Sequence, residues 1–418
     1  MRRNPYIPTA GSIYFYFILY GMALIIVSQN KSSLMEMWGA TDGQIAFAIS
    51  GVGIGKIIGP AFAGFVSDKF GRKAMLLTSL LMSVVYFAGM VNSPNYKVGF
   101  ALSVWFGLAN AILDVGAYPA LMEAFPKKAG SANLLVKAAI AIGQLLLPIL
   151  VAGGLFWKTS FYGAATAIGL CFILVCFLKF PDHKALAAEA KAKAQAITAV
   201  VGDKAGAKIW VEGAALVFFG FTSVGTFWLA QNSLPGMGEN IAGMGEAGAK
   251  TLVSLYATGS LIGVFTNAGL VARWVKPVRL LVVNPIITTI AYVLLLTSDS
   301  PSVFRVSSFL VGFFAAGGLF QLTVVVLAEF FPARKGLVTS LIGLASGVAA
   351  FVLPFLTGVI LGDAEGAALV GPYRTVVWLG IAVAVISALL GVLVNIRHRI
   401  VFGHDVADAA SPDLVAAG

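Results

Sequence analysis

The stretch Gly64-Phe65-Val66-Ser67-Asp68-Lys69-Phe70-Gly71-Arg72-Lys73 lies between two long apolar runs, roughly 45–67 and 74–92, and its reading decides the fold. It suits a short turn between two membrane-spanning helices. Gly64 lets helix backbones approach closely, and Gly71 permits a tight reversal. Lys69, Arg72 and Lys73 hold the turn on the cytoplasmic side, where basic residues accumulate. Asp68 is placed to cap a neighbouring helix N-terminus or to pair with a cation.

The rest of the chain agrees with a membrane reading. Hydrophobic residues make up 59% of the 418 and charged residues 11%, with a mean hydropathy of +0.92. A soluble domain carries about 25% charged residues, so a soluble domain is excluded. A transmembrane helix needs about 20 apolar residues. The sequence offers runs at approximately 12–33, 45–67, 74–92, 98–122, 131–155, 159–179, 209–232, 250–272, 278–297, 302–328, 337–361 and 373–396. Of the 28 lysines and arginines, twenty fall on the N-terminal side of these spans and six opposite (Lys31, Lys97, Lys158, Lys250, Arg305, Arg374). That bias places both termini in the cytoplasm. It also explains the net charge of +10 by topology, without nucleic acid as a partner.

Cys171 and Cys176 share one apolar span and indicate neither a disulfide nor a metal pair. Arg2 and Arg3 before an apolar run resemble a signal peptide, but no small-residue cleavage site follows, so that run reads as a retained first span. No dinucleotide fingerprint, Walker lysine loop or metal spacing occurs. The expectation is therefore no enzyme, no cofactor and no metal, with transport driven by a gradient.

Two halves repeat each other. Glu123-Ala124-Phe125-Pro126-Lys127-Lys128-Ala129-Gly130 follows the fourth span, and Glu329-Phe330-Phe331-Pro332-Ala333-Arg334-Lys335-Gly336 follows the tenth. Such symmetry marks a transporter built from related halves. We expect a six-helix half over 1–179, a cytoplasmic linker over 180–208, a second half over 209–396 and a cytoplasmic tail over 397–418. The linker is rich in Ala and Lys, good helix formers with little to bury. After the eighth span Gly269, Arg273, Lys276 and Arg279 persist without an Asp, so the second copy of the loop keeps its charge and loses the full motif.

The loop pattern G-x-x-x-D-K-x-G-R-K matches the one between transmembrane helices 2 and 3 of the major facilitator superfamily, which this chain resembles over nearly its whole length. The run Leu113-Asp114-Val115-Gly116-Ala117-Tyr118-Pro119-Ala120-Leu121-Met122-Glu123-Ala124-Phe125-Pro126, with Ser32-Ser33-Leu34 and Ile54-Gly55-Lys56, is similar to the YdiM/YdiN group of bacterial inner-membrane transport proteins. The resemblance implies an all-α membrane protein with twelve transmembrane helices in two pseudo-symmetric six-helix bundles. It implies a monomer in the lipid bilayer of a bacterial inner membrane, with spans 1, 4, 7 and 10 lining a central cavity. Gly64, Asp68, Lys69, Gly71, Arg72 and Lys73 would then serve conformational gating. The group's neighbourhood is shikimate and quinate metabolism. Two drug-exporter patterns are missing: an Arg near the start of the fourth span, and an adjacent Gly-Pro pair in the fifth, which has only Gly143 and Pro148.

Ionisable residues at membrane depth are costly and point to function. Lys56 stands about 16 Å from the cytoplasmic end of its span, and Asp114 and Lys137 about 10–14 Å from theirs. Adjacent antiparallel helices would let Asp114 and Lys137 pair, leaving Lys56 as the extra cation. A purely structural ion pair is the competing explanation. The three histidines (His183, His398, His404) lie in cytoplasmic segments, so Asp114 is the available proton carrier, tuned by Lys137. Asn110, Asp114 and Tyr118 share one helix face at i, i+4, i+8. Asn30, Gln144, Trp228, Asn232 and Gln321 are further substrate-binding candidates, although polar residues in membranes often serve helix–helix hydrogen bonds instead.

The resulting expectation is a secondary active transporter that takes up a small organic anion with a proton by alternating access. The substrate would be a hydroxylated or aromatic monocarboxylate such as shikimate or quinate. The alternative is a proton-antiport exporter of neutral or cationic lipophilic compounds, which would gain nothing from Lys56. A transporter-shaped receptor is a third class, but no recognisable signalling domain accompanies the spans.

Overall fold

A computed structural model describes residues 4–154, 156–181 and 206–409. Most of the expected linker and the end of the expected tail lie outside these described residues. Among the described residues every regular element is a helix. In chain order they are α1 (Ile7–Ala23), α2 (42–69), α3 (Phe70–Asn92), α4 (Tyr96–Ala124), α5 (Ala129–Ala152) and α6 (Trp157–Phe177). The second half holds α7 (Ala214–Asn240), α8 (Glu246–Arg273), α9 (Pro277–Thr297), α10 (Pro301–Phe330), α11 (Lys335–Leu361) and α12 (Val370–Ala409). Among the described residues ten helical segments are long and apolar enough to cross a membrane, and α1 is a shorter apolar helix. The helix α2 returns the chain from the far end of α1 to the start of α3, which completes twelve crossings. The face carrying Asn4 and the α2–α3 turn is called the basic face below, and its opposite the distal face.

Local chemistry sets the helix ends. Thr41 and Gln44 form a capping box that starts α2. The Asn95 carboxamide accepts from the Lys97 and Val98 amides at the start of α4. Pro277 and Pro301 open α9 and α10, where a missing N–H costs nothing. The α2–α3 reversal turns on Gly71, whose φ of 80° is strained for any residue with a side chain.

The repeat read in the sequence is structural. Pro126 and Pro332 each begin a short 3-10 turn, and the helix that follows starts at Ala129 in one half and Lys335 in the other. Pro148 and Pro354 lie inside those two helices at matching positions. Packing repeats as well. Glycines bring α2 onto α4 through Gly55 and Gly107, and α8 onto α10 through Gly259 and Gly312, each facing the backbone of its neighbour. In lipid such close backbone contact supplies the dispersion that holds helices together. Two seams join the halves, α2 against α11 and α5 against α8. At the second, the Ser254 hydroxyl donates to the Leu145 carbonyl at 3.0 Å. Outward-facing stripes such as Leu389, Val392, Leu393, Ile396 and Ile400 on α12 present apolar side chains to the bilayer.

Four spans differ from their expected form. The first breaks after Ala23 and resumes as the turns Ile26–Gln29 and Lys31–Trp38. The seventh reaches Asn240, because the charge of Glu239 is met by Lys31. The tenth is interrupted by a π turn at Gly312–Ala316 and by Gly318 at φ 104°. The twelfth passes the expected boundary at 396 and continues to Ala409. Arg397, paired with Glu212, and His398, stacked on Phe402, hold that extension.

Candidate functional site

A cavity of about 820 Å³ lies between the halves. Helices α1, α2, α4 and α5 form one wall, and α7, α8, α10 and α11 the other. The resemblance implied spans 1, 4, 7 and 10, and the candidates Lys56, Lys137 and Gln144 lie on 2 and 5; the structure adds 8 and 11. Lining residues extend to Asn133 on α5, Ala268 on α8 and Thr339 on α11, all near the basic face. Towards the distal face the lining stops at Leu24, just past the end of α1, and in mid-helix at Gln144 and Gln231.

Lys56, Asp114 and Lys137 all line this cavity. The expected Asp114–Lys137 ion pair does not form, since neither lysine ammonium comes within 4.0 Å of the carboxylate. Lys56 Nζ lies 5.6 Å from the centre of the Trp228 ring, a cation–π contact that spans the two halves.

Tyr118, Gln144, Trp228 and Gln321 also line the cavity. Three expected residues do not. The Asn110 amide donates to the Tyr20 hydroxyl, itself part of the wall, so Asn110 leaves the face it shares in sequence with Asp114 and Tyr118. The Asn30 amide donates to the Ile26 carbonyl at 2.9 Å and to the Ser160 hydroxyl at 3.3 Å. The Asn232 amide donates to the Trp228 carbonyl at 3.0 Å and borders a separate small void near the distal face.

Sequence reasoning passed over the second half's polar wall. Tyr256, Ser260 and Asn267 on α8 all line the cavity, and the Asn267 amide donates to the Gly317 carbonyl at 2.6 Å. Their spacing of four and seven residues, which puts all three on one helix face, was the available signal, but no charge drew attention to them. Gln231 on α7 also lines the cavity. It accepts a 2.8 Å hydrogen bond from Gln144, linking α5 to α7.

In the α2–α3 loop, Gly64, Asp68 and Lys69 lie outside the residues whose side chains are described. Arg72 Nε contacts Glu123 at 3.3 Å, which joins the loop to the end of α4. Lys73 donates to the Cys176 and Leu178 carbonyls at 2.7 and 3.0 Å. A cation there satisfies the open carbonyls at the end of α6.

Twelve crossings in two halves, with a charged cavity between them, define a membrane transport protein. The chain belongs to the Major Facilitator Superfamily, whose model matches residues 13–313 and 216–402. It is 36% identical to the inner membrane transport protein YdiN of Escherichia coli (strain K12), over 96% of this chain and 92% of that protein. It is 27% identical to the gentisate transporter of Corynebacterium glutamicum, over 42% of this chain and 41% of that one. A D-xylose-proton symporter structure superposes with a TM-score of 0.72 at 15% identity, covering 92% of this chain and 97% of that one, a likeness of fold alone.

Proposed function

We propose that this facilitator takes up a small organic anion together with a proton. The observation that carries the reading is the charge of the cavity wall. Its ionisable lining comprises two lysines, Lys56 and Lys137, and one carboxylate, Asp114. A low-dielectric site tolerates net charge poorly. A monoanion lowers the charge of this site and a proton on Asp114 raises it, so each cargo offsets the charge of the other and the two favour each other. Lys56 holds the substrate carboxylate, with Trp228 stacking beneath the ammonium. Asp114 takes the proton, and Lys137 sets how readily it does so. Tyr118, Gln144 and Gln321 contact the rest of the ligand, while Asn30, Asn110 and Asn232 shape the wall from behind.

A hydroxylated or aromatic monocarboxylate such as shikimate or quinate fits the charge and the volume. The partial likeness to a gentisate transporter supports this class, since gentisate is a hydroxylated benzoate. The lysine and arginine bias supports cytoplasmic termini in a bacterial inner membrane, and hence a cavity open to the cytoplasm. Residues 180–208 then link the halves on that side, and Arg72, Lys73 and the α2–α3 loop serve the rocking motion.

The test compares wild type with Lys56→Ala and Asp114→Asn in proteoliposomes. A ligand at 100 times its Kd stabilises the protein by about 2.7 kcal/mol. We expect carboxylates to raise the Tm of wild type, and Lys56→Ala to abolish that shift. Asp114→Asn should retain counterflow and lose accumulation driven by an inward proton gradient. Stabilisation by lipophilic cations, with Lys56→Ala silent, would replace this reading with proton-antiport export.

A further inference from the structure

One end of the Gln231 carboxamide has no partner, although the residue is 1% exposed and lines the cavity. Its oxygen accepts from Gln144, leaving Nε2 unbonded. Turning both amides over exchanges the atoms and still leaves one end of Gln231 open, so the vacancy does not depend on how the amides are assigned. Trp228, one helical turn back along α7, carries a second open donor: its Nε1 is buried and unpaired. The indole thus presents its face to the Lys56 ammonium and keeps its N–H for another group. Buried donors left open are costly. Two of them on one face of α7 therefore favour a ligand that supplies oxygen at that place.

We propose that Gln231, Trp228 and Gln144 form a hydroxyl-reading subsite, so that the transported anion is a ring carboxylate bearing several hydroxyls. This rests on the carboxylate reading of Lys56 and narrows it. The indole that touches the carboxylate-binding ammonium also offers the hydroxyl donor, so both groups sit on one compact ring. A hydroxyl both donates and accepts, and can satisfy either end of Gln231. An unsubstituted ring satisfies neither and leaves the donors buried and open. The Gln144–Gln231 bond crosses from one half to the other, so a hydroxyl bound there touches both sides of the cavity at once.

The experiment measures binding of shikimate and of cyclohex-1-ene-1-carboxylate, the same ring without hydroxyls, to the purified full chain. Wild type, Gln231→Leu, Trp228→Phe and Lys56→Met are compared by titration. Wild type should prefer shikimate by about ten- to a hundredfold, the equivalent of one or two well-made hydrogen bonds. Gln231→Leu should collapse that ratio towards one, and Trp228→Phe, which keeps an aromatic face but loses the N–H, should reduce it. Lys56→Met should weaken both ligands by a similar factor. Equal binding of the two ligands by wild type, or no binding of either, overturns the proposal. So does a ratio that survives both α7 substitutions. If Lys56→Met is silent while the ratio still depends on Gln231, the carboxylate reading fails and the hydroxyl subsite stands. Trp228→Phe gives an independent decision should Gln231→Leu fail to fold.

Discussion

On the distal face Lys31 donates to Asp42 at 2.7 Å and reaches Glu239 at 3.4 Å, whereas on the basic face Arg72 meets Glu123 at 3.3 Å and Arg397 meets Glu212 at 2.5 Å. The Lys31–Glu239 contact crosses between halves, while Lys31–Asp42 stays within the first and positions Asp42 for the second half. The Tyr373 hydroxyl of α12 donates to Asp42 at 2.7 Å, and Ser32 donates to Glu246 of α8 at 2.9 Å. The basic-face pairs named here join helices of one half: α3 to α4, and α12 to the turn that precedes α7. His398 with Glu329, at 3.4 Å, likewise joins α12 to α10. The cavity extends towards the basic face and stops short of the distal one. The molecule is therefore held shut where its ion pairs bridge the halves. Rocking to the opposite state must break the Lys31 cluster, while the pairs within a half can move as parts of rigid bodies.

Lys31→Met tests that contrast most severely. Across the halves Lys31 meets Glu239, which is 21% exposed, and a partly buried charge-assisted contact of this kind contributes about 2 kcal/mol. In a background without Cys171 and Cys176, a cysteine at Ser233, which borders the distal void, reports opening by maleimide labelling. The expected acceleration is roughly thirtyfold, following from that energy. Unchanged labelling would show that Lys31 does not hold the face shut.

Gly53→Val probes the neighbouring α2–α11 seam, where an added side chain meets the Phe351 backbone. Overpacking of this kind costs about 2 kcal/mol, read as a lower Tm together with faster labelling at position 233. Gly163→Ala on α6 is the control, because nothing lies within 4 Å of the added methyl. A Tm loss no larger than the control's would remove the seam from the account.

The smallest effect belongs to Asp299→Asn. Its partner Arg374 is also on the distal side, but the pair is 64% and 40% exposed and stays within one half. Solvent-exposed pairs contribute under about 1 kcal/mol, so neither Tm nor labelling should move appreciably. A shift comparable with that of Lys31→Met would mean that distal charge in general, not its bridging of the halves, sets the closure.

Much of the site was legible because charge stands out in an apolar run. Lys56, Asp114 and Lys137 were visible for that reason, and all three reach the cavity. Their mutual distances were not legible. The helices place two lysines around Asp114 without an ion pair, where adjacency alone suggested one. Lys31 reads in sequence as one more external cation, because its partners stand 11 and 208 residues away. Asn110 had the right spacing to share a face with Asp114, but the Tyr20 hydroxyl on α1 captures it. The open donors of Gln231 and Trp228 were invisible for the same reason: whether an amide is satisfied depends on what another helix brings to it.

Sequence alone determined that this chain lives in a bilayer, crosses it in two related sets of six, and carries three ionisable groups at depth. Those conclusions follow from composition and local spacing, since lipid leaves the backbone no partner outside its own helix. Only the tertiary structure decided that α8 and α11 join the cavity wall, that Lys31 bridges the halves at the distal face, and which polar atoms are left for a ligand. These depend on side chains from distant helices meeting across two seams, and such meetings are set by packing rather than by the order of residues along the chain.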